Sequence, residues 1–148
     1  MPIPQYHYYH GAALSIITEP GEFTGLARTP VYGAGAYAVN HNIGIFIKHT
    51  THEDSPFHFT FSPEHQTGIR DMFRRYGDRT FVVLVCCEVG ICVLSYGEYA
   101  AVIDENFNEQ EGITVERPDG GGFRVRGAQG ELPHVIPLNR FPTLIFEA

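Results

Sequence analysis

Lysine is almost absent from this sequence: Lys48 is the only one, and the other nine basic residues are arginine. An excess of positive charge is absent too. Seventeen acidic residues outweigh ten basic ones, and the formal net charge is −7. That argues against a general nucleic-acid coat, which needs a strongly basic face, and leaves room only for a local basic groove. No apolar run approaches the ~20 residues that cross a bilayer, so no membrane partner is expected. The opening MPIPQYHYYH lacks the charged and apolar regions of a secretory signal. Three cysteines, Cys86, Cys87 and Cys92, crowd one hairpin and make no disulfide framework. They read as small buried residues of a reduced compartment, and the cytoplasm is the expected location.

What is present suits one globular domain spanning residues 1–148. Hydrophobic residues make up 43% and charged residues 18%, a composition that can build a core. A short helix is expected over Gly11 to Ile17, ended by Pro20-Gly21, and a Gly/Pro/Thr-rich loop over 21–36. A short strand from Tyr37 to Asn40 and a His41-Asn42 turn lead into a strand from Ile43 to Thr50. There Ile43, Ile45 and Ile47 face one way, and Phe46 and Lys48 the other. Phe57, Phe59 and Phe61 alternate with His58 and Thr60, giving a strand with one apolar face.

Ser62 and Pro63 open a helix in which Ile69, Met72, Phe73 and Tyr76 share an apolar face, and Gly77 stops it. Thr80 to Cys87 is a continuous apolar run, expected as a sheet-centre strand covered on both faces. Ile91 to Ser95 returns as a strand, and a short helix lies within Tyr96 to Asp104. A polar loop spans 105–112. Ile113 to Arg117 and Phe123 to Arg126 form a hairpin, followed by about twenty residues of irregular cover.

The order from residue 37 to residue 95 is strand, strand ending in lysine, strand, helix, buried strand, strand. With Phe46-Ile47-Lys48, the helix start Pro63-Glu64-His65-Gln66 and the strand Phe81 to Val85, it resembles the restriction-endonuclease-like PD-(D/E)XK superfamily. Within that superfamily it is most similar to the archaeal Holliday-junction resolvases. The resemblance implies an α/β (α+β) fold with a mixed central sheet flanked by helices and a C-terminal hairpin extension. It also implies catalytic positions at Lys48, Glu64 and Gln66.

In that family an Asp and a Glu bind Mg²⁺ ions that activate water and steady the phosphate charge. Here Phe46 stands where the family's Glu would, and Tyr37, Asn40 and His41 stand where an Asp is wanted. Catalysis is therefore not expected. No cofactor is expected either, Mg²⁺ or Mn²⁺ entering only with a nuclease activity completed by a carboxylate such as Glu53, Asp54 or Glu64.

Two readings of Lys48 stand side by side: a phosphate-binding cation, and a charge that marks where the strand leaves the core. The histidine pairs His7/His10 and His49/His52, with Glu53, Asp54 and His58, suggest either a metal site or a set of partly solvated rings. Arg117, Arg124 and Arg126 on the hairpin read as a basic strip for phosphates or as a charged edge that prevents sheet association. Two functions follow. One is nucleic-acid binding without cleavage, through Lys48, Arg117, Arg124 and Arg126. The other is a non-catalytic interaction module, homodimeric or bound to another protein, that uses the eleven Phe and eight Tyr.

Overall fold

The computed structural model describes residues 2–104, 108–118 and 120–147. Part of the expected 105–112 loop, residues 105–107, falls outside them, as does Asp119 of the hairpin turn. The described chain is a mixed α/β structure whose central mixed sheet is flanked by helices, as expected.

The central sheet has five strands in the order β1 (Leu26–Arg28), β2 (Ala36–Val39), β3 (Ile43–Thr50), β5 (Thr80–Cys86), β6 (Gly90–Ser95). The β3–β5 pair is parallel and the others are antiparallel. Every residue of β5 is buried, as its unbroken apolar run requires. The middle position, however, belongs to β3, with β5 one place toward the edge.

Alternation along the strands separates two cores. Ile43, Ile45, Ile47, Phe81, Val83 and Val85 face helix α1 (Gln5–Ile17) and the C-terminal helix α4 (Thr143–Glu147). Phe46, Val82, Leu84 and Leu94 face the other way, onto α2 (Pro63–Tyr76), α3 (Tyr96–Val102) and a second sheet. That second sheet has the order β4 (Phe57–Phe61), β7 (Glu111–Glu116), β8 (Arg124–Gly127), β9 (Gly130–Glu131). The C-terminal hairpin is thus paired along β4 and supplies a wall of the core. Phe57, Phe59 and Phe61 of β4 are buried against Ile113, Val115 and Val125 while His58 and Thr60 are exposed.

Several expected boundaries move. α1 begins at Gln5, six residues before Gly11, so His7 and His10 lie on one helix. Its aromatic and histidine-rich first half has weak intrinsic helix propensity. Its support is tertiary: Tyr9 stacks on His49 at 5.0 Å and His10 meets Tyr37 edge-on. The 21–36 loop contains β1 and a 3-10 turn at Pro30–Tyr32. Asn40, at φ 52°, organises this region. Its side chain accepts from the Thr24 and Gly25 amides and donates to the Glu22 carbonyl. The last twenty residues include α4, whose Ile145 is buried.

α2 forms as expected. Ser62 accepts from the His65 amide, His65 returns the bond to the Ser62 amide, and Gly77 ends the helix. Its buried face is Gln66, Gly68, Ile69 and Met72. Phe73 is not part of it. The ring is 36% exposed and stacks on Tyr96 at 4.0 Å, because a 3.6-residue period carries position 73 to the rim of the stripe. Gly68 is required where the helix meets the 3-10 turn, since a Cβ there would collide with the Tyr32 carbonyl.

Met72→Ala is therefore expected to lower stability by about 2–5 kcal/mol, and Phe73→Ala by about 1 kcal/mol or less. Urea unfolding of the two variants measures both. Equal losses would put Phe73 back in the core.

Candidate functional site

Past its last pair with β2, Ala36–Phe46, β3 keeps only β5 beside it, and Lys48, His49 and Thr50 become half-buried rather than buried. Lys48 and His49 open on a cleft of about 350 Å³ bounded also by Tyr6, His10, Ala34, Gly35 and His65. The Gly33-Ala34-Gly35 strap forms one rim. The Gly35 carbonyl accepts from the Ile47 amide at 2.9 Å, and a Cβ at Gly35 would strike the Ile47 carbonyl. Only glycine lets the strap lie this close to β3.

Lys48 holds Nζ over the ring of Phe61, 5.4 Å from its centroid, and 3.3 Å from His65 Nδ1. The Ser62 amide also points at His65 Nδ1, from 3.2 Å. A backbone N–H is always a donor, so Nδ1 must carry the lone pair and the neutral ring holds its proton on Nε2. Lys48 thus donates to a neutral acceptor. Among the described residues no carboxylate forms an ion pair with it. Burial lowers the Lys48 pKa below its ordinary value. His65 is lowered by burial and then by the Lys48 charge, with Glu64 and the Thr60 backbone pulling the other way.

The rings on the far wall share that character. His49 is lowered by burial and by Lys48. His10 is buried, lies edge-on to His49 at 5.6 Å and meets the Tyr37 hydroxyl at 3.5 Å. Burial first, then the charges of His49, Arg28, His7 and Lys48, bring its pKa down to about 4. At neutral pH the cleft is one cation among neutral rings.

The three positions assigned by resemblance are not gathered in one place. Lys48 lines the cleft. Glu64 is exposed and lines a separate groove with Pro30, Tyr32, Thr67 and Asp71. Gln66 is fully buried and spends its amide donors on the Phe61 and Glu109 carbonyls, at 2.9 and 2.8 Å, tying β4 to the segment before β7. The hairpin arginines lie on the second sheet and do not line the cleft. Arg126 is paired with Glu116 at 2.6 Å, and Arg117 donates to the Gly121 carbonyl. Arg124 shares the outward face of β8 with Arg126, opposite the buried Val125.

The histidine metal site does not assemble: among the described residues, the one group placed to hold an ion is Asp104, Glu109 and Glu111. His52 and His58 are exposed, and His58 bonds Thr114 on the second sheet. Cys86 and Cys92 are buried, the Cys86 thiol pushed up to about 12, as suits inert core residues. Cys87 departs from that pattern. It sits half-exposed in the turn after β5 with its sulfur 3.9 Å from the Tyr9 hydroxyl.

The cleft residues that sequence reasoning missed are His65 and Tyr6, and His10, singled out there only as a partner of His7, faces His49 instead. His65 carried one usable signal, its place three residues after the Ser62 cap. Nothing local ties His10 to His49.

A depressed histidine makes folding pH-dependent. The folded state holds His10 neutral down to about pH 4, whereas the unfolded chain protonates it near 6.5. Below about pH 6.5 the unfolded state binds more protons, so stability falls as pH drops from about 6.5 toward 4 and is pH-independent through this group above that range. His49 and His65 add to the same trend. Urea midpoints from pH 7.5 to 4.5 are expected to decline, and His10→Phe is expected to flatten the decline. An unchanged slope in that variant would mean that His10 is not held neutral.

No protein-family model matches the sequence, and no curated protein does. Among solved structures, the chain is similar to Hjc, a Holliday junction resolvase from the archaeal hyperthermophile Archaeoglobus fulgidus. The TM-score is 0.44 and the identity 9%, over 72% of this chain and 80% of that one. A likeness this loose carries no residue roles across. No helix of the described residues is long and apolar enough to cross a membrane.

Proposed function

We propose that the chain binds single-stranded nucleic acid at the Lys48 cleft, through a phosphate, without cleaving it. The observation that carries this reading is the uncompensated cation: Lys48 is half-buried, held by a neutral imidazole, and without a carboxylate partner among the described residues. An anion from solution supplies the missing counter-charge. Tyr6, His10 and His49 surround it with ring faces and edges of the kind on which unpaired bases stack. The cleft is a few hundred Å³, at the small end of ligand sites and suited to one residue of a strand rather than to a duplex.

Metal-assisted phosphodiester cleavage needs carboxylates converging beside the phosphate to hold the ions. The described lining of the cleft offers imidazoles, a phenol and an amine instead. On a nuclease-like scaffold this describes a site that grips without cutting.

A second reading has its own observation. Tyr8 is 61% exposed and lines a groove of about 450 Å³ together with Tyr9, Ala12, Ile16, Val85 and Ile91. That surface suits a protein partner or a second copy of the chain.

Fluorescence anisotropy with labelled single- and double-stranded oligonucleotides at several salt concentrations tests the first reading. Single strands are expected to bind more tightly than duplexes. Lys48→Met should weaken binding and reduce the salt slope by about 0.7, the share of one single-strand phosphate. Arg126→Gln, at a residue already paired with Glu116, should change neither. Wild-type binding by Lys48→Met would shift the assignment to the interaction surface, where light scattering should then show a dimer that Tyr8→Glu breaks. Cleavage with Mg²⁺ or Mn²⁺ that is lost in Lys48→Met would overturn the claim of grip without cutting.

A further inference from the structure

We infer that the chain binds a Ca²⁺ ion through Asp104, Glu109 and Glu111, where α3 gives way to β7. The inference goes beyond the nucleic-acid reading, since none of the three lines the Lys48 cleft.

The carboxylates come from both sides of that connection. Asp104 follows α3, Glu109 precedes β7 and Glu111 is its first residue. One oxygen of each lies within 4.8 Å of the others. Exposed acids often gather without binding anything, but Glu111 is not exposed. It stands directly opposite Phe61 in the β4–β7 pair, so the two side chains share the inward face, and Glu111 is only 7% exposed. Among the described residues no basic side chain pairs with it. It accepts one long bond, 3.4 Å, from the Asp104 amide. A carboxylate buried with so little compensation is costly unless a cation joins it.

Two buried oxygens beside the cluster point to the same ligand. The Gln66 amide nitrogen donates to the Phe61 and Glu109 carbonyls, which fixes the amide between the residue opposite Glu111 and a member of the cluster itself. Gln66 is fully buried, and its Oε1 has no partner. Tyr99 of α3 is 2% exposed, packs its ring 5.6 Å from that of Phe61, and leaves its hydroxyl without a partner. Burial first, then Tyr96 and the Glu111 charge, raise its pKa. Buried polar atoms in folded proteins are nearly always satisfied. A cation among the carboxylates supplies the positive charge that Glu111 and the Gln66 oxygen lack.

The donor set selects the ion. It offers only oxygens, the ligands of hard cations. Carboxylate oxygens spread over up to 4.8 Å can all reach one Ca²⁺ at about 2.3–2.6 Å. Mg²⁺ demands a tighter octahedron at about 2.0–2.1 Å and is usually held by one or two carboxylates. No imidazole or thiolate belongs to the cluster to favour Zn²⁺.

The test uses the full chain, stripped with EDTA, and the metal alone. Ca²⁺ is titrated by calorimetry, and melting is followed with Ca²⁺, with Mg²⁺ and with NaCl at matched ionic strength. Tb³⁺, which occupies Ca²⁺ sites and is sensitised by nearby aromatic rings, is read by luminescence. The chain has no tryptophan, so the signal reports tyrosine. One site is expected, with a dissociation constant of about 1 mM or tighter. Ca²⁺ should raise the melting temperature as mass action requires and should displace Tb³⁺. Glu109→Gln and Glu111→Gln should each weaken binding about tenfold or more. Tyr99→Phe keeps the ring and should dim the Tb³⁺ signal.

Stability separates a ligand from a merely structural acid. Without Ca²⁺, Glu111→Gln should be at least as stable as the parent, because a neutral amide is easier to bury than an unpaired carboxylate. With saturating Ca²⁺ the parent should be the more stable. Glu109 is exposed, so Glu109→Gln keeps the test decisive should Glu111→Gln fail to fold. Absence of Ca²⁺ binding at millimolar concentration, parental affinity in both variants, or an undimmed Tyr99→Phe would overturn the inference. So would Mg²⁺ or NaCl raising the melting temperature as much as Ca²⁺, which is screening of the acidic chain. The titration needs no nucleic acid, so its failure leaves the Lys48 reading standing, and the reverse also holds.

Discussion

The parallel pairing of β3 with β5 is the constraint on which the rest of the molecule depends. Seven consecutive pairs run from Gly44–Thr80 to Thr50–Cys86. Two neighbouring parallel strands cannot be joined by a tight turn, so the chain must leave the sheet, travel back along its face and re-enter. The 29 residues from Thr51 to Arg79 make that journey as β4 and α2. β4 does not pair with β3, which already has β2 and β5 beside it. It pairs with β7 instead and founds the second sheet. α2 then packs Ile69 and Met72 against the same core that holds Phe46 and Val82.

The cleft is a by-product of that route. The carboxyl end of a parallel strand is where an α/β sheet opens a crevice, because the connecting elements diverge there. Lys48 occupies that end, and the helix that must follow starts beside it, bringing His65 within hydrogen-bonding reach. The cap of α2 and the contact to Lys48 share one atom, His65 Nδ1. Local folding of the helix and electrostatics of the site are therefore coupled. A substitution at Ser62 would release the ring as well as fray the helix.

What could be read from the sequence is what short-range periodicity carries. The alternation of β3, the cap and stop of α2 and the burial of β5 are each visible within one element, although the sheet's middle place expected for β5 belongs to β3. The start of α1 was not visible, because QYHYYH has no helical signal of its own and depends on partners such as His49, over thirty residues away. The burial of Gln66 in place of Phe73 was hidden for a similar reason. Gln66 is inside because two carbonyls, at Phe61 and Glu109, must be satisfied where β4 approaches the chain before β7. The cleft suffered most, since Lys48, His65, His10 and Tyr6 come from three separate stretches of chain. The departure of Phe46 from the nuclease pattern was legible, and so was the isolation of Lys48. Its actual companion was not.

The overall charge of −7 looks hostile to an anionic ligand, and distance decides how much that matters. At physiological salt, fields from exposed charges fade over about 8 Å. Carboxylates beyond that range therefore slow an approaching polyanion more than they oppose it at contact. Elsewhere in the fold an acid is committed by its contacts: Glu98 caps α3 at the Ser95 amide and grips His134 at 2.6 Å and Arg140 at 3.0 Å. Burial raises its pKa, but the Ser95, Arg140 and His134 bonds outweigh it and hold the carboxylate charged. The two capping boxes thus make opposite choices at the same helical position. In α3 an acid at N3 recruits cations and locks the C-terminal segment onto the fold. In α2 a histidine at N3 meets Lys48 without neutralising it. Glutamate in place of His65 would have kept the cap and added a salt bridge, and it would have closed the cleft to anions. Histidine leaves the charge of Lys48 to whatever enters.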